Sequence, residues 1–373
     1  MLFLHLRPSM QQTEQKNSGT LFDRDDIKVI DALDRAQLIA FAPYVWEASR
    51  LLVDQGILKL VEESRQEGMT IREVAGQVDM SYYGVRILME AGLGIGLLYR
   101  KEDRYFLAKT GHILLNNEMT RVNFEFMRDV CAGGAGALEA SIRNSGPEGL
   151  KSIGEWPTIY QGLSQFPPRA LESWLNFDHF YSDIVFPVAL PVIFESRPAR
   201  VLDIGGNTGK WTLKCLEYDP DVEMGIVDLP GQIGMARENI NKAGFEGRVQ
   251  YYPQDILKEE NLLPEGYDVI WMSQFLDCFS DAEIITILKK CHEVAGEHTR
   301  IFINETFWDR QRFATSAFTL QMTSLYFTTM ANGNSQMYDS RVFSDFIEQA
   351  GFEVVHTRDG VGLSHTILEL KKK

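Results

Sequence analysis

The first chemistry legible in this 373-residue chain comes from a glycine turn and three carboxylates. Asp203-Ile-Gly-Gly-Asn-Thr-Gly209 follows a β-rich run and precedes a helical one. Glycines at such a turn let the backbone approach a ligand with no Cβ in the way. The dinucleotide-binding form of the turn reads GxGxxG and sets a phosphate on the helix N-terminus. Here Asn207 interrupts that pattern and the spacing is Asp-x-Gly-x-x-x-Gly. Asp203 would repel a pyrophosphate and suit an ammonium group. Asp228 closes the next β-rich run, where a carboxylate can accept two ribose hydroxyls. Asp255 follows the third run and is placed for an adenine amino group, with Ile256 beside it. One such acid alone is as readily a helix cap. Three at successive strand ends, beside the glycine turn, favour an amino-acid-bearing nucleoside over NAD.

These residues need a scaffold that brings strand ends together, and the pattern after residue 196 supplies one. Residues 200–204, 223–227, 248–252, 268–272 and 300–304 are short β-rich runs with helical patterns between them, such as Ile284, Ile287, Leu288 and Cys291 at i, i+3, i+4 and i+7. The alternation predicts an α/β, doubly wound, mostly parallel sheet with helices on both faces. Residues 353–357 and 364–370 predict a closing antiparallel hairpin. Such sheets bind ligands beyond the carboxyl ends of their strands, at the switch in strand order.

Two regions precede it. Residues 21–115 read as helices ending in a small hairpin. Leu38, Phe41, Ala42, Val45, Ala48 and Leu52 form one apolar face, with Pro43 as a helix start or kink and Gly56 as a stop. Thr70-Ile-Arg-Glu73 is a capping-box pattern, Ser81 caps a helix to about Ala91, and residues 97–100 and 104–107 predict the hairpin. That order is winged-helix-like. Residues 116–195 read as a helical linker rich in aromatics and contributing to a ligand pocket. Residues 1–20 read as a flexible tail.

The formal net charge of −15 argues against nucleic acid and an anionic membrane surface as partners. The helix from Tyr82 to Ala91 offers only Arg86 as a cation, too little for a DNA-binding regulator. Tyr82, Val85, Ile87, Leu88 and Met89 suit burial against a second subunit instead. The four cysteines have no metal-ligand spacing and fit a reducing cytoplasm. No metal is expected.

Val201-Leu-Asp-Ile-Gly-Gly-Asn-Thr-Gly209, Val227-Asp-Leu-Pro230, Gln254-Asp255 and the stretch from Asp268 to Asp281 resemble a class I methyltransferase. The family is that of caffeate and hydroxyindole O-methyltransferases, and the likeness spans nearly the whole chain. It implies an N-terminal dimerisation domain, a Rossmann-like domain over residues 196–373, and S-adenosyl-L-methionine as cofactor with S-adenosyl-L-homocysteine as product. It also implies a homodimer and a small aromatic, phenolic or polyketide-like acceptor. Gly205, Gly206, Asn207 and Gly209 would hold the methionine part, Asp228 with Leu229 the ribose, Asp255 with Ile256 the adenine, and Ser273 would line the same site. Phe177, His179, Tyr181, Phe318, Met322 and Met337 are the expected substrate pocket.

The chain departs from the family where the proton is removed. O-methylating members carry a His in the loop after the fourth strand, and here Asp277 stands at that position. Glu305 matches one family Glu, and the second falls on Met337. Reference values near 3.9 for Asp and 6.5 for His cost about 2.6 pKa units of basicity, or roughly 3.5 kcal/mol. Burial beside Phe275, Leu276 and Phe279 would recover part of it. O-methylation with Asp277 and Glu305 as catalytic residues is the expectation. C- or N-methylation on the same fold, or a cofactor-binding scaffold without turnover, are the alternatives.

Overall fold

The alternation of β-rich and helical runs beyond residue 196 produces the sheet that organises the molecule. In the computed structural model, which describes residues 21–373, the tail expected over residues 1–20 lies outside the described residues. An N-terminal hairpin of β1 (Leu98–Lys101) and β2 (Arg104–Leu107) stands apart from a seven-stranded sheet. The latter contains β3 (Arg200–Ile204), β4 (Glu223–Asp228), β5 (Val249–Pro253), β6 (Val269–Ser273), β7 (Arg300–Thr306), β8 (Phe352–Val361) and β9 (His365–Lys372). Its order is β5-β4-β3-β6-β7-β9-β8. Strands β5 to β7 run parallel, while β9 lies antiparallel between β7 and β8. The chain winds outward from β3 through β4 to β5, then returns to the other side of β3 as β6. The switch point is therefore the carboxyl end of β3 and β6.

Alternating side chains feed two cores. Leu202, Ile204, Ile270, Met272, Ile301 and Ile303 face the helix Asp281–Val294, whose Ile284, Ile287, Leu288 and Cys291 are buried as their spacing predicts. Val201, Trp271 and Phe302 face the opposite layer, where Trp211 stacks on Trp271. Helices on both faces leave only the strand ends open to ligands.

In the N-terminal region both expected caps are present: Thr70 and Glu73 exchange hydrogen bonds, and Ser81 Oγ accepts the Gly84 N–H. The helix Tyr82–Ile95 runs past Ala91 and stops at Gly96, which takes the left-handed conformation. Three expectations change here. The apolar run over residues 38–52 is two helices, Val29–Ala40 and Ala42–Asp54, because Pro43 sits in the first turn of the second, where its missing N–H costs nothing. Leu38 and Phe41 consequently face outward. Val85, Leu88 and Met89 pack into their own domain's core, leaving Tyr82 and Ile87 exposed.

The stretch between the hairpin and β3 is helical, with a π-helical turn at Met127–Cys131. Its helix Pro168–Asp183 crosses toward the mouth of the sheet. No single helix among the described residues is long and apolar enough to cross a membrane.

Leu288 is fully buried between sheet and helix. Leu288→Ala should therefore lower stability by about 2–5 kcal/mol in urea unfolding. A change below about 0.5 kcal/mol would mean that this layer is not a packed core.

Candidate functional site

Three chain turns at the switch point build the site. The first leaves β3 at Gly205, where φ is +79° and a Cβ would come within 2.2 Å of the Phe275 ring. Asn207 follows with φ +46°, a left-handed conformation that Asn tolerates better than most residues. The second turn leaves β4 at Asp228, whose carboxylate accepts the Asn207 N–H at 2.8 Å and the Leu229 N–H at 2.7 Å. Burial pushes the Asp228 pKa up to about 6, and those two donors oppose it. The third leaves β6 at Gln274, another non-glycine residue with positive φ (+47°).

Two recesses open from these turns. One is lined by Asp178, His179, Asp203, Gly205, Gly206, Asn207, Lys210, Ser273 and Gln274. The other extends from Asp228, Leu229, Asp255 and Ile256, past Gln274, Phe275 and Asp277, to an aromatic chamber. Trp174, Phe177, Tyr326, Phe327 and Met337 wall that chamber. Asn207 Oδ1, Gln274 Oε1 and His179 Nε2 are buried without a hydrogen-bond partner among the described residues. Such atoms are costly unless a ligand supplies partners. Bare backbone at Gly205, acids at strand ends and orphaned polar atoms fit a zwitterionic nucleoside.

Asp277 lies in a short 3₁₀ turn, Leu276–Cys278, and is only 4% exposed, yet it lines the cavity. Its one side-chain partner is the Cys278 thiol, 3.5 Å from Oδ1. Burial raises its pKa to about 7, with the nearby Asp178 carboxylate adding to the rise. Glu305, 1% exposed on β7, does not line the cavity. Its Oε1 accepts the backbone N–H groups of Phe275 at 3.0 Å and Leu276 at 2.8 Å, tying down the Asp277 loop. Burial, and then the Asp277 charge, hold its carboxyl well above the ordinary glutamate range.

The structure relocates several expected residues. Asp203 sits at the floor of the first recess with Oδ2 on the Thr212 hydroxyl at 2.8 Å, so one oxygen is already committed. Gly209 lines neither recess; with φ +77° it starts the helix Lys210–Tyr218, lying against Ala236 and Ile240. His179 faces the glycine turn and not the acceptor chamber, and burial, then Lys210, lower its pKa to about 4. Tyr181 turns away, giving its hydroxyl to Asn123 Oδ1 at 2.8 Å. Phe318 and Met322 are 56% and 44% exposed, because the helix Ala314–Tyr326 presents Thr323 and Tyr326 to the chamber. Phe177 and Met337 are in the wall as expected.

Sequence reasoning missed Asp178, which lines both recesses and accepts a hydrogen bond from Asn207 Nδ2 at 3.1 Å. Burial, then the Asp183 charge, raises its pKa to about 6. Its neighbours Phe177 and His179 had been singled out, but helical phase alone could not tell which of the three faces the junction.

Removing the Glu305 carboxyl should loosen the Asp277 loop. Glu305→Ala leaves two buried N–H groups unpaired and should cost about 1–3 kcal/mol. Glu305→Gln, which keeps an acceptor oxygen, should cost less. Equal unfolding midpoints for both variants and the parent would contradict the tie.

With this geometry in place, residues 34–105 match the family model for a dimerisation2-like domain and residues 183–353 the model for an O-methyltransferase domain. The chain is 21% identical over 320 residues to an L-tyrosine C(3)-methyltransferase of Streptomyces lavendulae, covering 84% of this chain and 85% of that protein. It is 26% identical over 159 residues to a 3-hydroxy-5-methyl-1-naphthoate 3-O-methyltransferase of Streptomyces sahachiroi, covering 42% of this chain and 44% of the relative. Among solved structures, the fold resembles the mitomycin 7-O-methyltransferase MmcR, with TM-score 0.70, 19% identity, 92% of this chain and 98% of that one. It also resembles the methyltransferase SibL, with TM-score 0.68, 21% identity, 91% of this chain and 99% of that one.

Proposed function

This chain belongs to the S-adenosylmethionine-dependent methyltransferases that join a dimerisation2-like domain to an O-methyltransferase domain, and we propose that it methylates a small phenolic aromatic acceptor with Asp277 as the base. The observation that carries this reading is a desolvated carboxylate facing an aromatic chamber that runs into the glycine turn. The cofactor, when bound, supplies an electrophilic methyl group on a positively charged sulfur. Asp203, Gly205, Gly206, Asn207 and Ser273 would surround its amino-acid part. Asp228 with Leu229 would take the ribose, and Asp255 with Ile256 the adenine.

Asp277 takes the proton from the acceptor hydroxyl. A carboxylate with a pKa near 7 matches that task at neutral pH, since general-base efficiency is greatest when the pKa lies near the working pH. The Trp174, Phe177 and Phe327 walls hold the acceptor ring in line, and proximity does much of the rest. Glu305 keeps the loop in register and is a positioning residue.

O-methylation is the first reading. Attack by the ring carbon ortho to the hydroxyl is the second, because the same deprotonation loads that carbon with charge. After carbon attack, the proton at that carbon passes to the carbonyl oxygen of the dienone, which regenerates the phenol and restores aromaticity. The relative named an L-tyrosine C(3)-methyltransferase, spanning most of this chain, favours keeping it. Product position by NMR separates the two.

The N-terminal region supports a homodimer. Val29, Ile30, Leu33, Ile39, Phe41 and Tyr44 are exposed apolar side chains along two adjoining helices, a surface that a soluble monomer seldom displays. We divide the chain into a dimerisation region over 21–115, a linker over 116–195 that lends Trp174 and Phe177 to the chamber, and the methyltransferase domain beyond. Free thiols at Cys131, Cys215, Cys278 and Cys291 support a cytoplasmic setting.

Because Asp277 must be ionised to accept a proton, kcat/KM should rise about tenfold per pH unit below about 7 and level off above it. Asp277→Asn should abolish the rise and lower turnover by about 100-fold or more. A flat profile with undiminished turnover would remove Asp277 from the chemistry. Sedimentation equilibrium should return twice the chain mass, and paired Phe41→Asp and Tyr44→Asp substitutions should shift it toward one. A monomeric parent would contradict the assembly.

A further inference from the structure

Every charged side chain in the wall of the main cavity is a carboxylate: Asp178, Asp228, Asp255, Asp277 and Glu283. No Lys, Arg or His joins them among the described residues that line it. Asp228 and Asp255 stand at the nucleoside end. Glu283 is spent on the helix cap, accepting from Ser280 N at 2.8 Å and Ser280 Oγ at 2.6 Å. Asp277 therefore remains for whatever enters the aromatic chamber, together with Asp178, which stands at the junction of the chamber and the glycine-turn recess.

Neither carboxylate forms an ion pair with a Lys or Arg side chain among the described residues. Asp277 has a thiol at 3.5 Å; Asp178 has the side-chain amide of Asn207 at 3.1 Å and the neutral His179 ring at 3.9 Å, with the Lys210 charge acting on it from the glycine-turn recess. Tyr160, whose buried hydroxyl has no partner among the described residues, stands with Trp174, Phe177 and Tyr326 around them. Carboxylates set among aromatic faces bind ammonium groups through charge-assisted hydrogen bonds and cation–π contact. A carboxylate entering the same space would meet acidic groups and no Lys, Arg or His in the cavity wall among the described residues, at low dielectric. The one cation nearby lies elsewhere among the described residues: Lys210 lines the glycine-turn recess with Nζ paired to Asp183 at 2.8 Å, and His179 beside it is held neutral by burial.

We propose that the acceptor carries a protonated nitrogen received by Asp178, and that the chamber excludes acceptors bearing a carboxylate. This rests on the reading of the chamber as the methyl-acceptor site. Asp178 is thereby a specificity-determining residue, distinct from the base at Asp277.

The test uses the full chain and three phenols of matched shape. Tyramine, 4-ethylphenol and 3-(4-hydroxyphenyl)propionate carry a positive, a neutral and a negative tail. Calorimetry first measures S-adenosylhomocysteine binding. Its absence would overturn the cofactor reading and this proposal with it. On the saturated protein, tryptophan fluorescence then ranks the phenols, with Trp174 in the chamber wall as the reporter. Tyramine should bind about tenfold or more tighter than the propionate. Asp178→Asn should bring the tyramine to 4-ethylphenol ratio close to one. Tyramine binding no better than the other two, including binding by none of them, overturns the proposal while leaving the cofactor reading intact. So does an Asp178→Asn variant that weakens the cofactor but keeps the tyramine preference.

Discussion

A carboxylate held out of water is the constraint on which this site depends. In solvent an aspartate is too weak a base to strip a phenol near neutral pH, and histidine is the common answer. Here the loop after β6 carries Asp277 into apolar surroundings, and desolvation raises its proton affinity, which on the proposed reading would supply the basicity that the residue type lacks. The cost of that burial has to be met by the surrounding structure. Glu305 contributes by accepting two loop N–H groups, while the left-handed Gln274 at the loop's start adds a strain cost of its own that the surrounding packing must also hold.

The sheet makes this possible because its strand order reverses between β3 and β6. At that seam the glycine turn, the Asp228 turn and the Asp277 loop face one another across a short gap. The helix Pro168–Asp183 covers it, adding Phe177 and Asp178 from outside the sheet domain. Charge is partitioned along the resulting cleft. Lys210 stands at the glycine-turn end with Asp203, Asp178 lies at the junction, and Asp277 at the chamber end, where no cation lines the wall among the described residues. A sulfonium nucleoside and a polar aromatic acceptor would meet between them.

Much of the scaffold was legible in the sequence, because strand and helix periods are local properties. The five parallel strands, the closing hairpin and the caps at Thr70 and Ser81 lie where their patterns put them, with ends shifted by a residue or a few. Asp228 and Asp255 could be singled out because each closes or follows a strand, which fixes its position in space, whereas Asp277 was reached only through the resemblance to the methyltransferase family. Residues on helices were harder. Phe318, Met322 and Tyr181 carry the right chemistry but fall on the wrong side of their helices, and Asp178 was missed for the same reason. A helix phase is set by what it packs against, here the aromatic cluster of Phe126, Phe177 and Tyr326, which no local pattern reveals. The Glu305 tie was equally invisible, since it joins side chain and backbone 30 residues apart.

The central claim concerns the proton affinity of one side chain, and it can be read directly. Carbon-13 NMR of the protein with labelled aspartate carboxyls, assigned by comparison with Asp277→Asn, follows that group through a pH titration. The account predicts a midpoint near 7 for Asp277. A midpoint near 4, the value of an aspartate in water, would contradict it.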